Sequence, residues 1–288
     1  MTPCAGAKGG LIAHIMFPRN QAIYQLLSDE DPDTVRLVKQ QLAAAGEENI
    51  DSLRELACAG DCRVSRHARE VMEAIHGRQA VDDFSLLCHF FREHSDIEPA
   101  CWALARALEP DICTAGHEHQ VNEWGRRFLL DITGATSSRE RVELLSTLMA
   151  DELGFGGNLN DYYNESNSLL TRVMESRCGI PLSLSILYMM VGARAGMKID
   201  GVNLPGHFIV RHGDIYFDPF HGGQILEDAD VEDILVRQGL KLKYTHLQSA
   251  SARQMLVRTL SNLFYVYDVA GECEKQELVR GWISALVR

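Results

Sequence analysis

No stretch of this 288-residue chain approaches the roughly 18 consecutive apolar residues that a membrane-spanning helix needs. Basic residues are scarce, with 28 Lys plus Arg against 40 Asp plus Glu and a formal net charge of -12. Nucleic-acid binding draws its affinity from phosphate neutralisation, and docking on an anionic membrane needs clustered cations, so the balance argues against both. The eight cysteines (4, 58, 62, 88, 101, 113, 178 and 273) include no CxxC pair and no regular spacing. In a chain this long that is not a disulfide framework, and most of them read as small buried hydrophobes in a reducing compartment. The first twenty residues carry a short apolar patch at 11–17 without the charged-apolar-small order of a secretory signal. These absences together predict a cytoplasmic protein.

Metal and cofactor signatures are equally thin. Cys58, Cys62 and His67 form C-x3-C-x4-H with no fourth ligand, which only Cys88-His89 could supply, by tertiary accident. Gly154-x-Gly156-Gly157 follows a helical pattern rather than a strand, so it is not a dinucleotide fingerprint. His117-x-His119 reads as loop. The expectation is no metal and no cofactor.

What is present is an ordinary globular composition, 46% hydrophobic and 24% charged. At roughly 150 residues per domain the length suits two domains, or one with a helical extension. The first third is helical and weakly repetitive: Asp31-Pro32-Asp33 and Asp61-Cys62-Arg63 each open an amphipathic stretch, one running to Leu42 and the other to Ile75. Asp31 and Asp61 suit N-caps, and Pro32 the first helical position. Two such helix pairs resemble HEAT-type repeats, although an irregular helical subdomain explains the pattern equally well. Helices are predicted over 84–92, 99–108, 121–131 and 138–153. A Gly-rich break at 154–158 and a polar segment at 158–168 follow, and Leu169, Leu170, Val173 and Met174 then mark another helix.

Residues 181–195 are the most informative. Pro181 stands at a helix start and Gly196 at its stop, and between them apolar residues fall on almost every side. A helix apolar all round is a buried central helix. From Gly201 the pattern turns to short β-like runs at 202–204, 208–210 and 215–217, and two helices, 252–268 and 273–287, close the chain.

The β-like runs bring His207 and Asp218 together. A two-residue loop at Gly213-Asp214 pairs positions summing to 427 and makes His207 and Asp218 diagonal neighbours on one face, about 7–8 Å apart at the backbone. A loop at His212-Gly213 would set them directly opposite, and a three-residue loop would put them on opposite faces. With a two-residue loop, Phe208, Val210, Ile215 and Phe217 form the core side, and His207, Ile209, Tyr216 and Asp218 are expected to be displayed. A carboxylate beside an imidazole fixes its tautomer and stabilises its cation, as a general base or thiolate partner requires. A structural His–Asp pair fits the same residues.

A nucleophile is missing. The first turn of the 181–195 helix offers Leu182, Ser183, Leu184 and Ser185 but no cysteine; Cys178 lies just upstream. Helix capping accounts for the two serines. In the polar segment Asn160, Tyr162, Asn167 and Ser168 are candidate cleft-lining groups, joined by Arg177 and Pro181 on the approach to the helix.

Six motifs in one order carry a resemblance: Glu152-Leu153-Gly154-Phe155-x-Gly157-Asn158, Asp161-Tyr162-Tyr163, Asn167-Ser168, Arg177-x-Gly179-Ile180-Pro181-Leu182-Ser183-Leu184, Pro205-Gly206-His207-Phe208 and Asp218-Pro219-Phe220-x-Gly222-Gly223. From about residue 84 onward the chain resembles the SirB-type family. That family carries a transglutaminase-like domain, often followed by tetratricopeptide-type helices, and a related segment occurs in an F-box protein. The resemblance implies an α+β, mostly helical fold with a papain-like core, in which a central buried helix packs on a small antiparallel sheet. It implies that His207 and Asp218 occupy the His and Asp positions of a triad. The Cys position falls at or near Ser183, without a thiol, and members of the family generally lack that cysteine too. At Cys178 the family usually has another residue, so no role is inherited there. Residues 253–267 look like the opening of the family's repeat helices, reduced to about one pair.

The resulting expectation is HEAT-like helices at 17–80, a transglutaminase-like domain at 81–249 and a repeat-like helical pair at 250–288. The domain is read as catalytically degenerate and as binding a protein or peptide. The alternative is a thiol hydrolase or amidase in which Cys178 attacks a carbonyl, His207 shuttles the proton and Asp218 orients it. A serine variant through Ser183 ranks below both.

Overall fold

The computed structural model describes residues 18–288. Cys4 and the apolar patch at 11–17 lie outside them. The chain divides into two compact units, Met1–Arg78 and Gln79–Arg288, and the division falls inside a helix.

In the first unit α1 (Pro18–Leu27), α2 (Pro32–Ala44) and α3 (Ile50–Ala57) precede the start of α4 (Cys62–Phe90). Asp31 caps α2 by accepting from the Asp33 and Thr34 amides, with Pro32 in the first turn. Asp61 does the same for α4, accepting from Arg63 N at 2.8 Å and Val64 N at 3.2 Å. Ile23, Leu27, Leu53, Leu56, Val64 and Val71 make a core of their own. The sequence predicts a helix ending at Ile75 and another over 84–92, but α4 runs through both. No proline lies between 62 and 90, and one interior glycine, Gly77, costs only about 1 kcal/mol. That is too little to stop a helix whose apolar residues are buried on either side of it.

The second unit is organised around α9 (Pro181–Arg194). Before it come α5 (Ile97–Leu108), α6 (Thr114–Asp131), α7 (Ser138–Ser146), the two-residue strands β1 (Gly156–Gly157) and β2 (Cys178–Gly179), and α8 (Leu170–Ser176). The helix expected over 138–153 leaves α-geometry after Ser146 and continues as a π-helical turn over Thr147–Glu152, with the Leu153 amide reaching back five residues to Leu148 O. His117 and His119 lie within α6, not in a loop. As its all-round apolar pattern requires, α9 is buried on nearly every side, Leu184, Leu187, Tyr188 and Val191 being fully enclosed.

After α9 an antiparallel meander runs β3 (Asp200–Leu204), β4 (His207–His212), β5 (Ile215–Asp218) and β6 (Gln224–Leu226). Its inner face, with Phe208, Val210 and Phe217, joins the core around α9. The sequence pattern predicts a displayed outer face, but Ile209 is fully buried there. With Val202, Leu204 and Leu226 it packs against Val231 and Leu235 of α10 (Asp228–Val236). The sheet therefore has two cores, and the short acidic helix covers the second.

The chain ends in α11 (Ala252–Ala270) and α12 (Cys273–Val287), whose Leu256, Leu260, Leu263, Val279 and Trp282 belong to the same core as α9. The Trp282 indole donates to Ser85 Oγ at 2.9 Å and meets the Phe84 ring edge-on at 4.7 Å.

Candidate functional site

The β4–β5 hairpin pairs His212 with Ile215 and Val210 with Phe217, which is the register of the Gly213-Asp214 loop. His207 opens β4 and Asp218 closes β5, so they are diagonal on one face. His207 Nε2 lies 2.7 Å from Asp218 Oδ2. Asp218 is 2% exposed. Its other oxygen, Oδ1, accepts from the Phe220 amide at 3.0 Å. Burial pushes the Asp218 carboxyl up, but the bonds and charges of His207 and His221 outweigh it and hold the group below the usual carboxylate range.

Sequence reading missed His221. The tight turn Pro219–His221 returns this residue to Asp218, and His221 Nδ1 lies 2.7 Å from the same Oδ2. A histidine three residues after the aspartate in Asp218-Pro219-Phe220-His221 was the available signal. The turn is held from outside, since the Ser146 hydroxyl donates to Gly223 O at 3.0 Å. Gly223 has φ 76°, and a Cβ there would sit 2.1 Å from that hydroxyl oxygen, so this position tolerates only glycine.

Other contacts fix the mouth of the site. Arg258 of α11 donates to Leu204 O at 3.0 Å and His207 O at 2.8 Å, and it also bonds Asn203 Oδ1. The Phe220 ring stands edge-on to His207 at 6.1 Å. A cavity of about 300 Å3 opens beside the His207–Asp218–His221 cluster, lined also by Gln224, Asp230, Asp233 and Arg237. No cysteine or serine lines it.

The two nucleophile candidates stand elsewhere. Cys178 is half-buried on β2, paired with Gly156 of β1. Ser183 is buried and wholly engaged: its hydroxyl accepts from the Ile180 amide at 3.1 Å and donates to Asn167 O at 2.6 Å. Gly179 makes this lock possible, because a Cβ on it would lie 2.8 Å from Ser183 Oγ.

The candidate cleft residues divide by environment. Asn167 is an organiser of its own loop, donating to Asp161 O and Tyr162 O and accepting from Asn158. Pro181 is buried in the first turn of α9. Arg177 stacks its guanidinium 5.0 Å from the Trp124 ring centroid and 4.7 Å from that of Phe155. Asn160 is exposed. Tyr162 and Ser168 do line a cavity, of about 360 Å3, with Tyr163, Ile180 and Tyr265.

The central helix, the meander and the His–Asp pair agree with what comparison finds: residues 116–261 match the family model of the transglutaminase-like superfamily, and the chain belongs to that superfamily. Among curated relatives, a UPF0162 protein of Xylella fastidiosa is 36% identical over 175 residues, 57% of this chain and 62% of the relative. A UPF0162 protein of Pseudomonas aeruginosa is 31% identical over 61% of this chain and 66% of its own. F-box only protein 21 of Mus musculus is 28% identical over 48% of this chain and 24% of its own. The chain thus spans less than two thirds of the length of these relatives. No solved structure matches. Among the described residues no helix is long and apolar enough to cross a membrane.

Proposed function

We propose that this chain is a non-catalytic, protein-binding member of the transglutaminase-like superfamily. The observation that carries the reading is the His207–Asp218 pair beside a cavity whose lining includes no thiol and no hydroxyl nucleophile. Covalent acyl transfer needs a side-chain nucleophile beside the base, and the cavity lining supplies none. Ser183, at the helix turn where the resemblance puts the nucleophile, spends its hydroxyl on backbone groups.

The binding face of this reading is the tyrosine cluster near the start of α9. The Tyr162–Tyr163 and Tyr163–Tyr265 ring centroids are each 5.2 Å apart. Tyr163 is 61% and Tyr265 49% exposed. Clustered exposed tyrosines offer large, rigid contact area at small entropic cost, as binding hot spots do. The match to a quarter of F-box only protein 21 supports a module that recurs inside larger chains. In the same reading the family is SirB-type, the α1–α4 helices are HEAT-like, α11–α12 are a repeat-like pair, and the protein works in the cytoplasm on a protein or peptide partner.

The test is an electrophilic thiol probe applied to the folded protein across pH, with and without His207→Ala. The expected result is Cys178 labelling whose pH dependence is unchanged in His207→Ala. Labelling at acid pH that is lost in His207→Ala would overturn the reading in favour of a Cys178–His207–Asp218 hydrolase.

A further inference from the structure

We propose that His207, Asp218 and His221 form a binding site for one divalent transition-metal cation of the zinc type. His207 Nε2, Asp218 Oδ2 and His221 Nδ1 all lie within 4.8 Å of one another, and among the described residues they are the only His/Cys/Asp/Glu group so arranged. Both imidazole nitrogens point at one carboxylate oxygen, each at 2.7 Å. Spreading these three atoms around an ion at ~2.0–2.2 Å needs only a small outward movement, and the His221 side chain, 54% exposed on a short turn, is free to make it.

The donor set selects the ion. Two imidazoles and a carboxylate suit Zn2+, Fe2+, Co2+ or Ni2+, whereas Mg2+ and Ca2+ prefer oxygen shells. Three protein ligands leave a position open, and the cavity of about 300 Å3, with Gln224, Asp230 and Asp233 on its wall, gives that position room for water or a small ligand. The carboxylate is held from behind: the Phe220 amide occupies Oδ1 and leaves Oδ2 turned to the imidazoles. Such outer hydrogen bonds fix ligand orientation in metal sites. Ligation through these nitrogens requires the tautomers that carry the ring proton on His207 Nδ1 and His221 Nε2, with the Nε2 and Nδ1 lone pairs turned to the metal.

Calorimetric titration of the chelator-treated full chain with Zn2+ alone tests the site. One ion per chain is expected. Binding should weaken by about tenfold or more in His221→Ala and in Asp218→Asn; the first side chain is half outside the fold, and the second variant keeps the oxygen that accepts from Phe220. Cys58→Ser with Cys62→Ser should change nothing. Substituted Co2+ should show ligand-field bands without thiolate charge transfer. The absence of a one-to-one isotherm overturns the proposal. So does Zn2+ affinity unchanged in His221→Ala and Asp218→Asn, or affinity lost with the two cysteines. The thiol-probe test on the chelator-treated chain and this titration have separate readouts, so failure of the metal site and failure of the binding-module reading can be told apart.

Discussion

Gly179 and Ser183 are packed so closely that a single methyl on the glycine would come within 2.8 Å of the serine hydroxyl, 3.1 Å from Leu184 and 3.1 Å from Val173. The hydroxyl in turn links the Ile180 amide to the Asn167 carbonyl, so one small residue lets the start of α9 and the preceding polar loop share a bond.

Gly179→Ala should therefore destabilise the protein by about 1–3 kcal/mol through overpacking. Ser183→Ala should cost a similar amount, about 1–3 kcal/mol, by leaving buried backbone groups unpaired. Urea denaturation followed by circular dichroism measures both. A Ser183→Ala variant as stable as the parent would show that the hydroxyl is not a structural tie.

The sheet's second core gives a sharper contrast. Ile209 would be a surface residue on a sheet with one buried face, and truncating it would cost little. It is fully buried against Val231 and Leu235, so Ile209→Ala should cost about 2–5 kcal/mol, in the range of a core truncation. The midpoint of urea unfolding, compared with that of Phe208→Ala on the opposite face, decides it.

Only Cys88 and Cys101 of the seven described cysteines are buried, contrary to the expectation that most would be, so thiol chemistry should separate them from the rest. Burial pushes the Cys88 and Cys101 thiols up to about 12, with Glu98 and Asp96 adding to the effect on Cys101. At pH 8 an alkylating reagent should modify exposed Cys58, Cys62, Cys113 and Cys273 and leave these two untouched until the protein unfolds. The sign of the pH dependence follows. Both thiols stay protonated in the fold while the unfolded chain ionises near pH 9, so the stability they contribute is intact below about 9 and is lost as pH rises towards 12. Mass spectrometry after a timed pulse, and alkaline denaturation of Cys88→Ala, check the two halves.

Arg177 adopts φ 61°, a left-handed conformation at which an L side chain is strained. Its guanidinium lies against Trp124 and Phe155, and burial holds it below the usual arginine range. Glycine relieves the backbone and removes the stacking, so Arg177→Gly should fall within about 1 kcal/mol of the parent. Arg177→Ala keeps the strain, loses the rings and should be the less stable of the two by thermal denaturation.

Most of the second unit was legible in the sequence, because its strongest signals are periodic. The apolar residues of α9 leave no polar stripe, and alternation over 208–217 marks the residues that face α9; the His207–Asp218 diagonal is one of the registers that pattern allows, and the structure adopts it. What escaped detection depends on tertiary closure. Nothing in the acidic run Asp228-Ala229-Asp230-Val231-Glu232-Asp233 announces that Val231 and Leu235 cover a sheet face. His221 reaches Asp218 through a turn whose geometry is set by Ser146, far away in the chain. The break expected between Ile75 and residue 84 is absent because packing on both sides carries α4 through it.

Arg258 has a bearing on how this protein can be dissected. Its guanidinium grips three groups on the turn leading into His207, yet it sits on α11, near the far end of the chain. Severing the last two helices would not simply trim an appendage: it would release the very turn that aims the imidazole.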